Sequence, residues 1–167
     1  GTAGTLLVAG CNALAPEEPT PTPTDTPTAS GPDDTISMNG SNAAGQFYFG
    51  PVGLHVEPGT TVQWEAASGQ HSTKAFHPTY DQPRRVPEGA EPWYSGAMSY
   101  STFEHTFEVE GTYDYYCSIH YNHAMVGRVV VGEPGGPAEG TETPYGPVPA
   151  ADRIVEEGSV RAGDFDP

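Results

Sequence analysis

Cys117, His120 and Met125 stand within one short stretch, Cys117-Ser118-Ile119-His120-Tyr121-Asn122-His123-Ala124-Met125, flanked on each side by a strand-like run. Before it, Thr112-Tyr113-Asp114-Tyr115-Tyr116-Cys117 puts Tyr113, Tyr115 and Cys117 on one face; after it, Val126 to Val131 reads as the last strand. A loop between neighbouring strands has its ends held about 5 Å apart by the sheet. Its three sulfur and nitrogen side chains can therefore turn toward one point. A chain built this way must place a β-sheet around a small, inward-facing polar site.

The rest of the middle of the chain agrees with a β framework. Phe103 to Val109 alternates apolar residues and His105 with polar ones, a period of two that predicts a strand. After Glu110-Gly111, the Thr112 run is expected to be its hairpin partner. Thr60-Thr61-Val62-Gln63-Trp64 follows the turn residues Glu57-Pro58-Gly59, and Phe47, Phe49, Val52 and Leu54 mark an earlier pair of runs. No segment between 46 and 132 keeps a helical period, so the fold is expected to be all-β, a sandwich or barrel. Residues 73–101 contain Pro78, Pro83, Pro87 and Pro92 and are expected to be irregular. Trp93 and Tyr94 within them are expected to cover the core.

Thiolate, imidazole and thioether together suit copper cycling between two oxidation states, and a trigonal site of two His and one Cys with a long axial Met needs one more imidazole. Zinc is the competing metal, but methionine is a poor zinc ligand and structural zinc sites usually carry more thiolates. The 117–125 segment resembles the copper loop of plastocyanins and halocyanins, the cupredoxin family. The resemblance extends over residues 46–132, including Phe103 to Cys117 with its Glu-Gly-Thr-Tyr turn and Val126-Gly127 opening the last strand.

The resemblance implies a Greek-key β-sandwich holding one copper per chain on His71, Cys117, His120 and Met125. His71 follows Val62-Gln63-Trp64 through Ser68-Gly69-Gln70, the place where the family has its first imidazole; His77 is the alternative. It further implies one-electron, outer-sphere transfer between transient redox donor and acceptor proteins through the exposed edge of His120. Tyr116 matches a second path through the sulfur, and the Ser72 N–H matches a donor to the thiolate. Ile119, His123 and Ala124 depart from the family's usual Pro, apolar residue and Gly, which bears on the loop's shape more than on its ligands. His105 and His55 are expected to be structural.

The protein is not expected to be an enzyme: oxidases and nitrite reductases need further histidine clusters, and six His leave no His-X-His pair. Copper carriage or storage is the alternative function, since it would use the same ligands.

The chain has 167 residues, enough for one domain with flanks, expected at 35–132. Leu6-Leu7-Val8-Ala9-Gly10-Cys11 resembles the processing site of a lipoprotein signal, with Cys11 lipidated, although the chain starts at Gly1 without an initiator Met or a basic region. Residues 12–34 are Pro/Thr-rich and read as a spacer. Asn39-Gly40-Ser41 is a candidate N-glycosylation site. The tail 133–167 is expected to be a flexible, acidic flank, with Ile154 and Val155 as the residues that would dock if it packed. Together these predict a lipid-anchored monomer on the extracytoplasmic face of the membrane. The 22 acidic and 6 basic residues, net charge −16, exclude nucleic acid as a partner and resemble the composition of salt-loving archaea.

Overall fold

Short runs with inward-facing apolar residues on alternate positions set the strands. The computed structural model describes residues 1–2, 4, 34–41 and 46–165. Its strands are β1 (Asp34–Ser41), β2 (Gln46–Gly50), β3 (Gly53–Val56), β4 (Thr60–Ala66), β5 (Lys74–Ala75), β6 (Thr102–Phe107), β7 (Gly111–Tyr116), β8 (Val126–Val131) and β9 (Ser159–Val160), with one helix, α1 (Ala151–Glu157). They form two sheets, in the orders β2-β1-β4-β6 and β5-β7-β8-β3-β9. The β1–β4 and β3–β8 pairs are parallel and the rest antiparallel.

The sheets face each other across one core. Ile36, Met38, Phe49, Val62, Trp64 and Phe107 enter it from the first sheet; Leu54, Val56, Tyr113, Tyr115, Val129 and Val131 enter from the second. The all-β sandwich expected from the sequence is therefore the observed fold. Residues 73–101 are largely irregular, as their prolines imply. Trp93 seals the core, but Tyr94 does not: it is 44% exposed, its ring facing the Lys74 ammonium at 4.6 Å.

Three expectations are corrected. β6 and β7 do not form a hairpin; β6 pairs with β4 and β7 with β8, in opposite sheets. The outward face of β6 carries Thr102, Glu104 and Thr106, all exposed, whereas β7 is buried on both faces. Pairing them side by side would drive Glu104 into a dry environment without a partner. Secondly, the strand runs read from Gln46 onward leave out a strand that opens the expected 35–132 domain. β1 lies between β2 and β4, and only Ile36 and Met38 betray it, too few apolar residues to stand out in a polar stretch.

The third correction is the C-terminal flank, which packs on the outer face of the second sheet. Ile154 is fully buried with Val52, Val130, Ala151 and Val160, while Val155 stays on the surface. β9 pairs with β3. This explains why Val129–Val131 is a continuous apolar run: a strand covered on both faces has no solvent side to keep polar. The same cover accounts for Asp114, wholly buried between Arg85 and Arg128 at 2.8 and 2.7 Å. The arginines then donate to tail carbonyls, Arg85 to Ala138 (2.8 Å) and Thr141 (2.7 Å), Arg128 to Pro149 (3.1 Å). Cys11 and the residues of the 12–34 spacer before Asp34 lie outside the described residues.

Candidate metal centre

Three of the four residues expected to bind metal converge. Among the described residues, ligand atoms of His71, Cys117 and His120 all lie within 4.8 Å of one another. The backbone explains how. Cys117 directly follows β7, and its N–H donates to the Met125 carbonyl at 3.0 Å, closing the loop just before β8 begins. His120 sits at the start of a 3₁₀ turn, Tyr121–His123, which reverses the chain. His71 follows β4 and is held by paired backbone bonds with Met98, at 2.9 and 2.8 Å.

The fit of these residues to a metal is seen in what they leave unsatisfied. His71 Nδ1 is buried without a hydrogen-bond partner, an arrangement that costs free energy unless something else uses the lone pair. Burial holds the His71 imidazole below the ordinary histidine range, with a backbone hydrogen bond to Ser68 acting the other way. Burial likewise lowers His120, helped by the positive charge that His71 and His123 would carry. Both rings are thus biased to the neutral form that ligates metals. Cys117 is a free, wholly buried thiol, and its Sγ lies 3.6 Å from His120 Nδ1. Met125 is also wholly buried, in the same apolar cluster as Cys117.

A second layer fixes the sulfur. The Ser72 N–H points at Cys117 Sγ at 3.4 Å, the contact implied by the resemblance. Ser72 Oγ is 2.8 Å from Ser118 Oγ and accepts from the Ser118 N–H at 2.8 Å, tying the His71 loop to the Cys117 loop.

The other candidates are placed elsewhere. His77 Nδ1 is 2.9 Å from Thr79 Oγ1 and accepts from the Thr79 N–H, capping a short turn. His105 stacks on Trp93 at 4.7 Å, and His55 Nε2 is 3.0 Å from the Gly132 carbonyl. Tyr116 faces away from the core, 4% exposed, beneath Phe76 and Tyr145. His123 is exposed. Asn39 lies half-buried in β1, paired with Tyr48.

Sequence reasoning missed Phe47 and Gly40. The Phe47 ring stacks on His120, centroids 3.8 Å apart and 13° from parallel. Gly40 permits it: a Cβ there would stand 2.2 Å from Phe47 Cδ1 and 3.2 Å from His71 Cε1. The signal was at hand in the alternation of β2, which puts Phe47 and Phe49 on one face, but not in its position relative to a loop far along the chain.

Comparisons with known proteins agree with this geometry. A family model described as copper binding proteins, plastocyanin/azurin family, matches residues 36–132. A halocyanin of Natronomonas pharaonis is 32% identical over 107 residues, 61% of this chain; the chain spans 58% of that relative's length. Two solved pseudoazurins align over 75% of this chain and 97% of their own. That of Methylobacterium extorquens AM1 is 21% identical with a TM-score of 0.57, and that of Sinorhizobium meliloti 28% identical with 0.55. The first of these bears on the fold alone.

Proposed function

Because the chain belongs to the plastocyanin/azurin family of copper-binding proteins, we propose that it is a blue-copper electron carrier, with one copper on His71, Cys117 and His120 and Met125 as the weak fourth ligand. The observation that carries the reading is two imidazoles and one thiol within 4.8 Å of one another, with no carboxylate in the group. Bound copper supplies a one-electron couple.

The protein's own residues supply the rest. Neutral His71 and His120 offer nitrogen lone pairs, and the Ser72 N–H favours negative charge on the sulfur. Paired backbone bonds on the His71 side and the Cys117–Met125 closure keep the donors in place, so little rearrangement accompanies a change of charge. The surrounding apolar core excludes water from the sulfur. No substrate-transforming step is assigned.

Electrons exchange by outer-sphere transfer through the half-exposed His120. The loop that carries it, 118–125, has no Asp, Glu, Lys or Arg, in a chain of net charge −16. Such an uncharged face suits brief contact with donor and acceptor proteins, whose interfaces are typically small. Tyr116 offers a second route from the sulfur, by way of Tyr145 to the surface. We further place the protein on the extracytoplasmic membrane face, tethered by a lipid on Cys11 through the 12–34 spacer. The run Leu6 to Cys11 supports this, and Cys11→Ser should move the protein from the membrane to the soluble fraction.

The test is titration of the metal-free protein with Cu(II). One equivalent should produce intense blue absorption and narrow copper hyperfine splitting, both lost in Cys117→Ser. Repeated reduction and reoxidation should leave the metal bound. Copper passing to an acceptor protein on reduction would favour copper carriage instead.

A further inference from the structure

We infer that the tail turn 143–148 is a positioning element for the metal loop, supplied by residues beyond the stretch that the family model matches. It is fixed at both ends. Thr141 is held by Arg85, at 2.6 Å to its hydroxyl and 2.7 Å to its carbonyl, and Pro149 by Arg128 at 3.1 Å. Both arginines are locked by Asp114 in the sheet below. Between these anchors the chain folds back on itself: the Thr143 hydroxyl donates to the Gly146 carbonyl, and the two residues form a backbone bridge.

The tip of this turn lies against the loop that carries His120 and Met125. The Tyr145 ring is 4.9 Å from that of Tyr121, 5.1 Å from Tyr116 and 5.5 Å from Phe76. Gly146 touches Ala124 so closely that a Cβ on it would stand 2.8 Å from the Ala124 Cβ and 3.4 Å from its Cα. Ala124 itself is left-handed, with φ 54°, a conformation that favours glycine. Within the loop it is retained by short local closures: Ala124 N–H to Tyr121 O at 3.1 Å, Val126 N–H to Ala124 O at 2.9 Å, and a long one from the Met125 N–H to His120 O at 3.4 Å. Close packing against Gly146 on the outside leaves Ala124 little room to relax toward an ordinary right-handed or extended backbone. Because Ala124 directly precedes Met125, its conformation sets where that side chain enters the core. Tyr145 and Gly146 are thus positioning residues, and they act through Tyr121 and Ala124.

The consequence for the metal rests on the copper reading; the brace itself does not. The test is amide hydrogen exchange on the full-length, metal-free protein, together with the absorption and paramagnetic resonance spectra after Cu(II) loading. Tyr145→Ala should accelerate exchange at His123, Ala124 and Met125 by roughly tenfold, leave amides of β4 and β7 unchanged, and alter the Cu(II) spectra. Tyr145→Phe, which keeps the ring, should behave as the parent. Gly146→Ala should reproduce the loop acceleration by a different route. Unchanged loop exchange in Tyr145→Ala and Gly146→Ala would overturn the proposal, as would equal acceleration throughout the molecule. The exchange result decides the brace even if Cu(II) fails to bind.

Discussion

His105 shows how a single side chain can be legible in kind and not in consequence. Its place in an alternating strand marked it as structural, and it stacks on Trp93 with a T-shaped contact to Phe107 at 4.9 Å. Burial in that aromatic nest pushes its pKa down to about 4. The unfolded chain therefore takes up a proton near pH 6.5 that the folded chain refuses until about pH 4. The stability present above pH 6.5 is then lost as the pH falls through that window. His105→Phe removes the titrating group and keeps an aromatic ring. Relative to the parent it should gain about 1 kcal/mol between pH 8 and pH 5, after allowing for partial solvent screening, as read by denaturant unfolding at each pH. At the metal centre, Cys117, His120 and Met125 were legible because one loop carries them. The stacking of Phe47 on His120 was not, since it joins a strand of the first sheet to a loop of the second, a relation that no local pattern encodes.

Among the elements, the second sheet and its C-terminal cover depend on a buried charge. Asp114 is wholly buried with two arginines, and removing it would leave both cations in a dry site. Asp114→Ala should destabilise the protein by about 3–5 kcal/mol and expose residues 138–149 to proteolysis, measurable by urea unfolding and by mapping the first cleavage sites. Ile154→Ala empties the apolar contact of α1 with β3 and β8 and should cost about 2–5 kcal/mol. Arg153→Ala breaks the exposed pair with Glu157 and an exposed hydrogen bond to the Asp164 carbonyl at 3.2 Å, and should move the melting temperature little. The tail was expected to be loose because Gly, Pro and acidic residues dominate its composition. What tied it down was a polar network whose partners lie far away in the chain, and periodicity is blind to such bonds.

Over the whole molecule, the net charge of −16 is carried with only six basic residues, two of them committed to Asp114. The surface therefore repels itself, and the uncharged metal loop is an exception on it. Raising KCl from 0.1 M to 1 M shortens the screening length from about 10 Å to about 3 Å. The melting temperature should rise over that range, and a flat or falling curve would count against self-repulsion as a main destabilising force. The sequence by itself determined the β character, the spacing of Cys117, His120 and Met125 and hence the chemistry of the metal, because strand alternation and a single loop are local properties. Only the tertiary structure decided that β6 and β7 part into opposite sheets, that β1 completes the first sheet, and that the tail seals the second. Those outcomes turn on which buried groups find partners across the fold, and that is settled by the assembled core rather than by any one stretch of chain.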